Sequence, residues 1–130
     1  MHGPNVLRTW SAVQSTMARS SGEAELYAMI KGASHIKYMM SLAADFDMTL
    51  SGTVKVDSTA ALGIVRRSGL GGRTRHVHVQ HLWIQEAVER KELTVSKIHT
   101  QNNYADIFTK CVGADVFNKH LKAMGFIFLD

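Results

Sequence analysis

Gln14-Ser15-Thr16-Met17-Ala18-Arg19-Ser20-Ser21-Gly22-Glu23-Ala24-Glu25-Leu26-Tyr27-Ala28 is the stretch that decides how this chain folds. Ser20 and Glu23 have the spacing of a capping box, in which a hydroxyl and a carboxylate satisfy orphan backbone N–H groups at a helix start. A helix is expected from there. Leu26, Ile30, Ala33, Ile36, Met40 and Ala43 then recur every three or four residues, one apolar stripe on a helix ending near Asp45. Upstream, Trp10, Val13, Thr16 and Met17 lie within Leu7–Arg19, which reads as one strand with a bend.

Working outward, Gly52–Asp57 reads as a strand through Thr53, Val54 and Val56, and Ser58 caps a second helix running to about Arg67. Glycines 69, 71 and 72 end it. A third helix from about Val77 to Arg90 carries Val79, Leu82, Trp83 and Ala87 on one side. Leu93–His99 returns to strand character, and a helix is expected from Asn102 to Val112. A terminal helix over 114–124, with Phe117, Leu121 and Met124 on one face, is stopped by Gly125. Strands alternating with helices predict an α/β architecture in which helices cover a partly parallel sheet.

The 130 residues, 45% hydrophobic, suit a single domain over 1–130 with one core. Net charge is +4 at pH 7, mildly basic and compatible with a polyanionic partner without requiring one. Cys111 is the only cysteine, which excludes an intrachain disulfide and points to a reducing, intracellular setting and a buried thiol. No apolar run reaches membrane-spanning length, so no membrane span is expected. Met29, Met39, Met40 and Met48 read as core or interface filler.

Three acids lie in apolar settings. Asp57 follows Val54–Val56 at the carboxyl end of a strand, where α/β sheets place their ligands. Glu25 stands beside Leu26 in the first turns of the long helix, and Asp106 lies inside Tyr104-Ala105-Asp106-Ile107-Phe108. Taken singly, each has an ordinary explanation, because acids near helix starts are favoured by the macrodipole.

Their order carries more. The opening stretch, with Trp10-Ser11 ahead of Gln14, resembles the RNase H signature of copia-type retrotransposon Pol polyproteins, a glutamine-containing strand leading into Ser-Ser-x-Glu-Ala-Glu-Tyr. Val56-Asp57-Ser58-Thr59-Ala60-Ala61 resembles that family's Asp-Asn-x-x-Ala, and Arg75-His76-Val77-His78 its Lys-His-Ile-Asp/Glu. Trp83-Ile84-Gln85-Glu86 is similar to its helical segment ending Arg-Glu. Ala105-Asp106-Ile107-Phe108-Thr109-Lys110 matches its closing Ala-Asp-Ile-Phe-Thr-Lys almost letter for letter. The resemblance covers about residues 10–112 and implies an RNase H-like mixed sheet flanked by helices, with a metal-dependent endonuclease acting on RNA in RNA–DNA hybrids when complete. It also implies four carboxylates holding two Mg²⁺ ions, of which Glu25, Asp57 and Asp106 are present, Glu25 being preferred to Glu23. Hard cations take oxygen ligands, and a pair of them can stabilise both the attacking and the leaving oxygen.

The pattern departs at one point. The family's first catalytic aspartate precedes the Trp-Ser-x-x-Gln segment, and none of the nine residues before Trp10 is acidic. The first one or two strands are therefore expected to be absent, and the isolated chain is expected not to cut. The alternative is a catalytically inactive, domesticated copy that serves as a structural or binding subunit, with a protein partner covering the exposed sheet edge.

Arg73, Arg75, His76 and Lys97 are the candidate contacts to a nucleic-acid backbone, alongside Arg66 and Arg67; a solvated basic face explains them equally well. His76, His78 and His81 lack the cysteine or acid partners in register that a zinc site needs. The glycine-rich run 69–75 lacks the lysine and strand-to-helix context of a phosphate loop.

Overall fold

The computed structural model describes residues 1–3, 5–15, 17–67 and 81–126. Four α-helices and two strands are found among them: α1 (Ser21–Ala44), β1 (Gly52–Val56), α2 (Thr59–Val65), α3 (Trp83–Glu89), β2 (Leu93–Lys97) and α4 (Ala114–Ala123). Two short 3-10 helices, Thr100–Asn102 and Tyr104–Phe108, lie between β2 and α4. The architecture is mixed α/β. The chain divides into two compact units, one of residues 14–98 and one of 1–13 with 99–130.

In the 14–98 unit β1 and β2 pair in parallel, with Gly52 opposite Leu93 and Val56 opposite Lys97. Parallel neighbours need a crossover, and α2 and α3 lie in it. Alternation buries Gly52, Val54, Leu93 and Val95 and leaves Thr53, Lys55 and Thr94 exposed, so one sheet face is apolar and the other polar. Leu26, Met29, Ile30 and Ala33 of α1 join Ala61, Leu62, Ile64 and Val65 of α2 and Ile84 and Ala87 of α3 in the core. Gly52 lets β1 approach α1 closely: a Cβ there would stand 2.4 Å from Ile36 Cγ2, 2.7 Å from Leu93 Cδ2 and 2.9 Å from Met40 Sδ. Gln85, buried in α3, donates to the Ile64 carbonyl at 2.7 Å, and Arg66 donates to the Val95 carbonyl at 3.2 Å.

Both α1 and α3 end with an L-residue in the left-handed region, Asp47 at φ 57° and Lys91 at φ 59°. Met48 N–H reaches the Ala43 carbonyl at 2.9 Å, and Glu92 N–H reaches that of Ala87 at 2.9 Å, the 6→1 bond of a Schellman turn. On the surface, Lys37 forms an ion pair with Glu92 whose hydrogen bond draws the Glu92 carboxyl below its ordinary range.

In the other unit α4 ends as its sequence predicts. Gly125, at φ 82°, donates to the Lys122 carbonyl, and Phe126 N–H reaches the Leu121 carbonyl at 3.1 Å. Met124 and His120 are buried, and the His120 ring meets Tyr104 edge-on with centroids 5.4 Å apart.

Several expectations need correction. No strand forms over Leu7–Arg19 among the described residues: they carry no ladder bonds, and Val13 and Met17 are 97% and 92% exposed. Strand-forming side chains cannot hold a strand without a neighbour to take the backbone N–H and C=O groups. The helix expected at 102–112 is the 3-10 helix Tyr104–Phe108, none of whose residues is buried. Without a buried face, a longer α-helix lacks the packing that stabilises one. Within the described residues α3 begins at Trp83 and buries Ile84, Gln85 and Ala87; residues 77–80 lie outside them. Cys111 is exposed, in the connection before α4, and Met39 and Met48 are exposed while Met29 lies in the core. Among the described residues, no helix is long and apolar enough to cross a membrane.

Candidate functional site

The start of α1 is held by the pair of residues that marked it. Ser20 Oγ accepts the Glu23 N–H at 3.2 Å, and the Glu23 carboxylate accepts the Arg19 N–H at 3.0 Å, one residue before the helix cap. Glu23 also accepts the Tyr27 hydroxyl at 2.6 Å, one turn on. Glu23 as a whole is 4% exposed. Burial, reinforced by the Glu23 hydrogen bond and negative charge, pushes the Tyr27 phenol up to about 12 from 10.0. The Tyr27 ring also meets His81, with centroids 5.1 Å apart. Gln14 donates to the Ala24 carbonyl at 2.7 Å, fastening the preceding segment to the same turn.

Glu25 was expected beside the apolar stripe, but it is exposed, and Glu23 turns inward instead. Helix geometry accounts for this. Glu23 lies three residues before Leu26 and seven before Ile30, which sets it on their face, whereas Glu25 is only one residue from Leu26 and so turned about 100° away. That spacing, legible in the sequence, is the signal that identifies Glu23 as the inward acid.

Asp57 is half-buried, immediately after β1 and before Ser58, whose hydroxyl caps α2 by accepting the Ala61 N–H at 3.2 Å. The helix that carries Glu25 meets the helix that follows Asp57 at a glycine. Gly22, three residues before Glu25, lies against Ala60, three residues after Asp57; a Cβ at 22 would stand 2.8 Å from Ala60 Cβ. Lys97 ends β2 opposite Val56, and its ammonium donates to Thr59 Oγ1 at 2.8 Å.

Asp106 belongs to the other unit. Its Oδ1 accepts from Asn103 Nδ2 at 3.1 Å, its Oδ2 pairs with Lys110 at 3.0 Å, and its side chain is 13% exposed. Asn103 also accepts the Ala105 N–H at 3.3 Å, so one side chain caps this 3-10 helix and orients its acid. Among the described residues, no three His, Cys, Asp or Glu side chains gather as a metal-binding group. Arg73, Arg75 and His76 lie outside the described residues, as do His78 and the 69–75 loop.

The chain is 31% identical over 108 residues, 82% of its length, to the retrovirus-related Pol polyprotein from transposon TNT 1-94 of Nicotiana tabacum. The chain belongs to the retrovirus-related Pol polyproteins of transposons. A second of them, from transposon RE2 of Arabidopsis thaliana, is 25% identical over 122 residues, 92% of the chain. The chain spans about 8% of the length of these two Pol polyproteins. No family model and no solved structure matches it.

Proposed function

We propose that this chain is the RNase H-like segment of a copia-type retrotransposon Pol polyprotein, and that Glu25 and Asp57 hold divalent cations, Mg²⁺ in the first instance, against an RNA–DNA hybrid, Asp106 being a further cation ligand carried by the other unit. The observation that carries the reading furthest is the Gly22–Ala60 contact, which sets the first turns of α1 against the chain that follows Asp57. The donor set fits a hard cation in kind, since all three groups are carboxylates. When bound, such ions supply charge at the attacking and leaving oxygens of a phosphodiester. The chain's own residues fix the ligands: Asn103 orients Asp106, Ser58 caps the helix behind Asp57, and Glu23 fixes the turn that presents Glu25. Arg73, Arg75, His76 and Lys97 are the proposed backbone contacts.

Cutting takes a fourth carboxylate, which an aspartate-bearing strand joined to the chain would supply. The test is Mg²⁺-dependent cleavage of the RNA strand by the chain carrying such a strand. Cleavage that vanishes in Asp57→Asn is expected; no cleavage at any protein excess, or cleavage indifferent to Asp57→Asn, overturns the reading.

A second reading, a non-cutting structural or binding subunit, draws on the sheet. Among the described residues β1 and β2 pair only with each other, and the strand-prone segment ahead of α1 exposes Val13 and Met17. Unpaired edges accept a partner's strand. Copurification of a stoichiometric protein partner supports it, and a well-folded monomer that captures none removes its motive.

A further inference from the structure

We propose that Lys97 and Thr59 form a phosphate-holding pair that sets the nucleic-acid backbone beside Asp57. This deepens the nuclease reading and rests on it.

Three observations carry the assignment. The parallel register puts Lys97 directly opposite Val56, so its backbone lies one strand spacing, about 4.8 Å, from the residue that precedes Asp57. Lys97 has the parity of Leu93 and Val95, both buried, and is itself exposed. An apolar stripe thus ends in a cation at the carboxyl edge of the sheet. Finally, the ammonium does not pair with a carboxylate among the described residues; it donates to Thr59 Oγ1 at 2.8 Å. An ammonium has three donors, and one bond to a neutral hydroxyl aims the group while leaving its charge and two donors for an anion. Lys37, Arg90 and Lys110, by contrast, are each committed to a carboxylate.

The chemistry that suits such a pair is a phosphodiester oxygen. A compact cation held next to the acid would seat one phosphate of the strand at the place where Asp57 acts, adding a sequence-independent, salt-sensitive contribution to affinity. Lys97 is here a positioning residue.

The test is fluorescence anisotropy of a labelled RNA–DNA hybrid duplex with the 130-residue chain in EDTA, titrated between about 50 and 200 mM salt. Lys97→Met is expected to weaken binding several-fold and to lower the slope of log affinity against log salt by about one. Thr59→Val keeps the charge and loses the aim, so it weakens binding less and leaves the slope unchanged. Lys55→Met, which removes an exposed cation on the opposite sheet face two residues before Asp57, leaves both unchanged. An unchanged slope in Lys97→Met, or an equal change in Lys55→Met, overturns the assignment. If the nuclease reading itself fails, the unsubstituted chain binds no hybrid at any salt; if only Lys97 is misassigned, that binding persists and the variant matches it.

Discussion

Residues 14–98 and residues 99–126 are held together in different ways. In the first, α1, α2 and α3 enclose the inner face of β1 and β2, and Leu26, Ile84, Leu93 and Val65 are almost wholly removed from water. In the second, His120 and Met124 are the only described residues that are buried, and Asp106 is fixed by Asn103 and Lys110 through local polar contacts. Asp57 is thereby anchored to a packed core, and Asp106 to a short-range network. Stability and site geometry are therefore expected to respond to different substitutions in the two units.

The largest expected effect lies in the packed unit. Leu26→Ala should cost about 3 kcal/mol by chemical denaturation, from lost burial and the cavity left behind. Phe117→Ala, on a side chain 41% exposed in α4, should cost less than about 1 kcal/mol. Equal losses would erase the distinction. Next comes Gly22→Ala, which on an unpartnered helix would stabilise by about 1 kcal/mol. Against Ala60 it should instead destabilise by about 1–2 kcal/mol, because Ala60 Cβ is fixed to its backbone and cannot swing away. A stabilised variant would show that α1 and α2 do not meet at this point.

Tyr27 gives a pH-dependent version of the same comparison. Burial, together with the hydrogen bond to Glu23 and its charge, holds the phenol above the ordinary 10.0 in the folded chain, so the neutral phenol contributes stability that is complete below pH 10 and lost as pH rises through about 12. The advantage of the natural chain over Tyr27→Phe, about 1 kcal/mol at neutral pH, should shrink across that window. A difference that stays constant contradicts the placement of the phenol against Glu23. The smallest effect is a gain. Lys91→Gly relieves a left-handed L-residue and should add about 0.5–1 kcal/mol.

Where the sequence was legible, a local rule and the tertiary context agreed. Ser20 and Glu23 announced α1, Ser58 announced α2, and Gly125 announced the end of α4, because caps act within a few residues. The stripe from Leu26 to Ala43 was readable for the same reason. What failed depended on distant partners. Trp10 and Val13 have strand character, but a strand exists only with a neighbour. Asp47 and Lys91 end their helices with no glycine to advertise the turn. At the site, Asp57 was legible from the apolar run before it, whereas Glu25 was assigned by motif order and the inward acid proved to be Glu23. Gly22 and Thr59 escaped notice because their roles arise from α1 meeting α2 and from β2 ending beside it.

The central proposal is that Glu25 and Asp57 share divalent ions, and paramagnetic broadening by Mn²⁺ in NMR spectra of the 130-residue chain tests it most directly. Signals of both residues should broaden together over one range of Mn²⁺ concentration, and Asp57→Asn should abolish the response at Glu25. Broadening confined to one of them, or none at millimolar Mn²⁺, would contradict the account.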